Sequence, residues 1–169
     1  MKKLKKDRQW VIENLRRCIA EAVVKGFKVT VGLEDASRAD MRFLKQLIAT
    51  AFLEGAERIR YADTVGRLHK HKIKSDIANI RDQFCIDLEI HTHNDFGMAV
   101  SNSIYAVKAG VAYVDCTIGG IGERAGNCDY YQFIKAARGC LGIFQSMDLL
   151  QIEEVQTRIM NIVYAGQAN

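Results

Sequence analysis

Proline is absent from this 169-residue chain, although ordinary usage of about 5% predicts several. Glycine, present 13 times, must therefore punctuate the turns and helix ends. No apolar run approaches the ~18–20 residues of a membrane span. No apolar core follows the opening charges of Met1-Lys2-Lys3-Leu4-Lys5-Lys6-Asp7-Arg8 either, so neither a leader nor a membrane partner is expected. The five cysteines include no Cys-x-x-Cys pair, which excludes a disulfide framework and a zinc knuckle. They read as reduced, largely buried thiols of a cytoplasmic protein. A large charge of one sign is lacking too, the net charge being +4. Five of the basic residues fall in the first eight positions, which read as a solvated lead-in to a helix. The others are interleaved with acids, so no nucleic-acid stripe forms.

What is present is the balance of a globular domain, 49% hydrophobic and 26% charged. Two periodicities alternate along it. Val11, Leu15, Cys18, Ile19 and Ala22 recur at helical spacing up to Gly26, and then Val29, Val31 and Leu33 alternate as in a strand. Asp40 is a candidate cap for a helix carrying Phe43, Leu44, Leu47, Ile48 and Ala51, closed by Gly55. Strands are expected from Arg58 to Thr64, Ile86 to His93 and Ala112 to Thr117. Helices are expected near His71–Phe84, Met98–Lys108 and Tyr130–Cys140, with a helical tail from Asp148. Residues 1–145 thus read as repeated βα units and 146–169 as a helical tail.

Strands separated by helices pair in parallel. A doubly wound sheet would be apolar on both faces. Here Ile86, Leu88 and Ile90 share one face, and Asp87, Glu89, His91 and His93 share the other. A polar face suits a barrel interior, and a barrel needs eight strands. The expected fold is α/β, with about four βα units forming the C-terminal half of a (β/α)8 barrel. Arg58 and Arg60 should point inward and need partners among Asp87, Glu89 and Asp115. Arg60 is expected to pair with Glu89 or Asp115, as scaffold.

Sites in such folds sit at the carboxyl ends of strands. His91-Thr92-His93 lies at one of them and projects both imidazoles to one face, as a divalent metal requires. Asn94 and Asp95 are candidate supports for the two rings. His69 and His71 sit among lysines and read as exposed loop residues. Gly119-Gly120-Ile121-Gly122-Glu123-Arg124-Ala125-Gly126-Asn127 matches no nucleotide motif, but its amides suit an anionic ligand such as a phosphate or thioester carrier.

Four ordered segments carry a resemblance. Gly32-Leu33-Glu34-Asp35-Ala36-Ser37-Arg38, Arg60-Tyr61-Ala62-Asp63-Thr64-Val65-Gly66, His91-Thr92-His93-Asn94-Asp95-Phe96-Gly97 and Gly122-Glu123-Arg124-Ala125-Gly126-Asn127 resemble homocitrate synthases. Those enzymes belong to the metal-dependent barrel family that also holds 2-isopropylmalate synthase, citramalate synthase and 3-hydroxy-3-methylglutaryl-CoA lyase. The Glu-Asp-Ala-Ser-Arg run resembles in particular the type that serves nitrogenase cofactor assembly.

The resemblance implies a divalent metal (Mg, Mn or Zn) on His91 and His93, with Asn127 at or near it. It implies Thr64 on the carboxylate of a 2-oxo acid, Glu34 at the substrate's side-chain end, and Glu123 among the substrate residues. The implied reaction is a Claisen-type condensation of acetyl-CoA with 2-oxoglutarate. A shorter 2-oxo acid, giving citramalate or 2-isopropylmalate, and a non-catalytic half-barrel are the alternatives. The family's first four strands, with their metal carboxylate and catalytic arginine, have no counterpart here. Nor has the part that lends a histidine across the dimer. A complementary N-terminal half-barrel chain, or self-association of two halves, is therefore expected.

Overall fold

The computed structural model describes residues 5–165, so Met1 to Leu4 of the basic head and the last four residues of the tail lie outside it. Helices and strands alternate: α1 (Arg8–Val24), β1 (Thr30–Leu33), α2 (Met41–Leu53), β2 (Arg58–Asp63), α3 (Lys70–Arg81), β3 (Asp87–Thr92), α4 (Ala99–Lys108), β4 (Tyr113–Asp115), α5 (Tyr130–Leu141) and α6 (Leu149–Ala165). The four strands are parallel and lie in the order β1-β2-β3-β4. A doubly wound sheet reverses its order at a switch point. This sheet does not reverse, as part of a barrel should not.

Aspartates start four of the helices, α1, α2, α5 and α6. Asp7 accepts from the Trp10 amide at 2.8 Å, Asp40 from Phe43 at 3.0 Å, and Asp129 from Gln132 at 2.8 Å. Asp148 caps α6 through Leu150 and Gln151. Such side chains satisfy amides that have no partner inside the helix. Gly142, at φ +69°, follows α5 in the left-handed conformation that relieves its last carbonyls.

Packing separates the two faces of the sheet. Ile59, Tyr61, Leu88 and Ile90 are fully buried on the helix side, in one core with Ile48 of α2 and Ile73, Ile77 and Ile80 of α3. Burying each such side chain stabilises the fold by about 1.5–3 kcal/mol. A smaller cluster joins Ile104, Phe133, Ile134 and Cys128, and α6 packs on it through Leu149 and Ile152. Polar pins cross these layers. The Tyr61 hydroxyl donates to Asp76 at 2.6 Å, and Thr92 Oγ1 lies 3.0 Å from Ser103 Oγ beneath α4.

The opposite face carries the expected charge pairs. Arg60 donates to Asp115 at 3.1 Å and Arg58 to Glu89 at 3.0 Å. Arg60 stands on β2 and Asp115 on β4, so its reach across β3 reports a concave sheet, as a barrel wall must be. β1 and β4 are the outer strands, and among the described residues no further strand pairs with either.

Two expectations need correction. The cysteines are unpaired, as foreseen, but only Cys128 is buried and Cys116 is half-buried, while Cys18, Cys85 and Cys140 are exposed. Cys18 follows the helical spacing, yet a turn of about 100° from the buried Ile19 aims it outward. His69 and His71 are exposed, but they are not loop residues: His69 is the N-cap of α3 and His71 lies in its first turn.

Among the described residues no helix is long and apolar enough to cross a membrane.

Candidate functional site

The strand ends converge as the sequence predicts. Register places Ala62, His91 and Asp115 side by side on β2, β3 and β4. His93 lies just beyond β3 and is buried. The Nε2 atoms of His91 and His93 are 3.2 Å apart, with the rings edge-to-face.

Asp115 supports the first ring. Its Oδ2 lies 3.0 Å from His91 Nδ1, too poorly aligned for a hydrogen bond but close enough for its charge to favour a proton on Nδ1. That leaves the Nε2 lone pair free. Burial, and then the charges of His91 and Arg124, lower the pKa of His93 below the ordinary histidine value. Both causes favour the neutral form of the His93 ring, the form that ligates metals.

Asn127 reaches this pair through the backbone. The glycine loop returns beside β3, so that the Asn94 amide donates to the Gly126 carbonyl at 2.8 Å and His93 bridges Asn127. Asn127 Nδ2 donates to the Ile121 carbonyl at 3.0 Å, while its Oδ1 is buried without a partner. The loop closes this tightly because of its glycines. A Cβ on Gly126 would lie 2.2 Å from the Gly120 carbonyl oxygen, and one on Gly122 would strike the Asn127 amide.

Glu34 and Thr64 meet at the ends of β1 and β2. Thr64 Oγ1 accepts from the Asp35 amide at 2.7 Å and faces Glu34 Oε2 at 3.3 Å. The other oxygen of Glu34 accepts from Arg60 at 2.9 Å. Asp35, left-handed at φ +57°, grips Arg38 with both carboxylate oxygens and thereby shapes the turn.

Glu123 does not join this cluster. Its side chain is 79% exposed and contacts Arg124 at 3.2 Å. The supports expected for the histidines also act elsewhere. Asn94 caps the start of α4, and Asp95 pairs with Arg124 at 2.8 and 3.0 Å. The sequence reading missed Asp115 as the support of His91, and Arg124 altogether. Arg124 joins three loops, since it also donates to the Thr64 carbonyl at 2.6 Å. Sequence carried no signal for it, because both partners are remote in the chain.

Two imidazole nitrogens on one divalent ion stand about 3.0–3.4 Å apart, given metal–nitrogen bonds of ~2.0–2.1 Å. The observed spacing and the orphaned Asn127 Oδ1 both fit such an ion. Among the described residues no third histidine, cysteine or carboxylate completes the set. The chain therefore offers a partial ligand set.

Comparison with known proteins identifies the family and the fold. A family model described as HMGL-like matches residues 1–159. The chain is 56% identical over 140 residues to the homocitrate synthase subunit alpha of Clostridium pasteurianum, covering 83% of this chain and 52% of that protein. It is 40% identical over 153 residues to 2-isopropylmalate synthase 2 of Caldanaerobacter subterraneus subsp. tengcongensis, covering 90% of this chain and 40% of that one. The chain thus spans about half the length, or less, of these curated relatives. Among solved structures, the HMG-CoA lyase of Bacillus subtilis superposes with a TM-score of 0.81 at 16% identity, over 95% of this chain and 58% of the lyase. At that identity the likeness concerns the fold.

Proposed function

The chain belongs to the HMGL-like family, and on that premise we propose that it carries the metal- and 2-oxo-acid-binding half of an acyltransferase. The reaction is the condensation of acetyl-CoA with 2-oxoglutarate and water to homocitrate and free CoA. The observation that carries this reading is the facing pair His91 and His93, with Asn127, whose Oδ1 is unpartnered, bridged to His93 through the backbone. Sequence likeness to the Clostridium pasteurianum protein favours 2-oxoglutarate. Likeness to a 2-isopropylmalate synthase keeps a shorter 2-oxo acid as the second reading.

A divalent ion, when bound, supplies Lewis-acid polarisation of the ketone. His91, His93 and Asn127 would hold it through Nε2, Nε2 and Oδ1. Asp115 Oδ2 lies beside the His91 ring, and the buried setting of His93 favours its neutral form. Thr64 offers its hydroxyl to the carboxylate of the 2-oxo acid, in place of its present contact with Glu34. Arg124 holds the loops after β2, β3 and β4 together above the site. The glycine loop suits the anionic carrier of the acetyl group. A base must take a proton from the acetyl methyl group; the resulting enolate attacks the ketone, and water then releases CoA. No residue of this chain is assigned as that base.

The open sheet supports a second element of the reading. Unpaired edge strands favour pairing with further strands, and Val24, Phe27 and Leu53, near the amino end of β1, are largely exposed. A complementary half-barrel, on a separate chain or in a second copy, would cover both edges and supply the remaining metal carboxylate. The helical tail, described to residue 165, packs back on α5 and against the glycine loop, with Gln156 donating to Asp129 and Met160 lying against Gly119.

The test is metal-dependent release of the CoA thiol on a panel of 2-oxo acids, using the protein with its complementary strands. Thiol release with 2-oxoglutarate supports the reading; metal-independent release, or none with any 2-oxo acid, contradicts it.

A further inference from the structure

Along α6 the half-buried residues are Leu149, Ile152, Gln156, Met160 and Val163, which lie three or four apart and so share one helix face. Four of them are apolar, and Leu149 and Ile152 pack against the cluster around Phe133 and Ile134. Gln156 breaks the stripe. Its Nε2 donates to Asp129 Oδ2 at 3.1 Å, while its Oε1 is buried without a partner. An unpartnered buried oxygen costs stability that a leucine in its place would not. Packing alone therefore does not account for a glutamine here.

One turn further on, Met160 rests on the glycine loop. A Cβ on Gly119 would strike the Met160 sulfur, so the methionine fills the space that this glycine leaves open. α6 thus holds the loop at two points, Gly119 on the way in and Asp129 on the way out. Asn127 lies between them. Its amide donates to the Gly120 carbonyl at 2.9 Å, and its Nδ2 donates to the Ile121 carbonyl at 3.0 Å. Both acceptors directly follow the glycine under Met160. Gly119 and Gly120 are left-handed, at φ +63° and +68°, and glycine has the freest backbone of any residue. The loop is soft where the methionine braces it. Asp129 is fixed from its other side, because its Oδ1 accepts from the Gln132 amide at the start of α5.

We propose that Gln156 and Met160 are positioning residues: α6 sets the conformation of residues 119–129 and thereby where Asn127 presents its free Oδ1. The consequence for metal binding rests on the reading of Asn127 as a metal residue. The grip on the loop rests on the contacts alone.

Two measurements on the assembled protein test this, hydrogen exchange at the Gly126 and Asn127 amides and calorimetric affinity for Mn²⁺. Gln156→Leu keeps the helix face packed and removes the donor to Asp129. Exchange in β3 should stay as slow as in the wild type or become slower. Exchange at Gly126 and Asn127 should rise by about 10-fold, the lower range for losing a hydrogen bond to a charged group. Mn²⁺ affinity should fall by about 10-fold, the low end for residues that orient a ligand. Met160→Ala should loosen the loop in the same way, and Met160→Leu, which conserves volume, should restore both readings. A helix that only packs predicts the reverse for Gln156→Leu, a loop unchanged or tighter. That result overturns the proposal even if Met160→Ala fails to fold, and so does a loosened loop with unchanged Mn²⁺ affinity. A wild-type protein that takes up no metal would remove the reading of the site and the consequence for Asn127, while loop exchange would still decide for or against the grip.

Discussion

His91 Nε2 and His93 Nε2 face each other across 3.2 Å, from adjacent inward positions at the carboxyl end of one strand. Two lone pairs so placed repel unless a proton or a cation lies between them. Truncating either residue to Ala should lower divalent-metal affinity by at least about 10–100-fold, taking the loss of a supporting residue as the lower guide. Calorimetry with Mn²⁺ or Zn²⁺ on the assembled protein measures this, and equal uptake by wild type and both variants would refute the assignment.

Tyr61 and Asp76 form a buried polar contact beneath the sheet, at 2.6 Å. Burial, and then the bond to Asp76, raise the tyrosine's pKa well above its ordinary value, so it stays a donor at all working pH. Tyr61→Phe should destabilise the fold by about 1.5–3 kcal/mol, nearer the lower figure because Lys72 still contacts Asp76 at 2.9 Å. Urea denaturation would show it as a lower midpoint with an unchanged slope.

Two glycines should respond to alanine with opposite signs. Gly126 has a φ of +90° and lies against the Gly120 carbonyl, so Gly126→Ala should cost roughly 1–3 kcal/mol and displace Asn127. Gly139 is helical, exposed and faces open space. Gly139→Ala should therefore raise stability by about 0.8–1 kcal/mol, the difference in helix propensity. Thermal melts of the two variants would read both effects.

Acid should release the cap of α2. The Phe43 amide lowers the pKa of Asp40, with Arg8 and Arg42 helping. A carboxylate whose folded pKa is depressed contributes stability above its unfolded pKa of about 3.9 and loses it as pH falls through the folded value. The stability difference between wild type and Asp40→Asn, which keeps a cap but cannot titrate, should therefore shrink below about pH 4. A constant difference from pH 6 to pH 2 would contradict the cap's ionic character.

The four strands, their parallel pairing and the polar inner face were legible in the sequence because each is a matter of local period. The helix starts at Asp40 and Asp148 were legible for the same reason. Asp115 was read as a partner for Arg60, yet its second role, under His91, depends on β4 lying beside β3 in one particular register. Arg124 eluded the reading because its partners, Asp95 and the Thr64 carbonyl, stand 29 and 60 residues away in sequence. The cysteines misled because composition ranks thiols as buried, whereas exposure is set by which side of an element each occupies. Contacts between segments are what periodicity does not carry.

The central claim is that the inner face of these four strands is one part of a site that other strands must complete. Its most direct test is to purify the 169-residue chain alone, measure its mass in solution, and assay condensation of acetyl-CoA with 2-oxoglutarate. The account predicts self-association or poor solubility, with no turnover until strands supplying the missing metal carboxylate are added. A stable monomer that releases CoA unaided would contradict it, because a complete site would then lie within this chain.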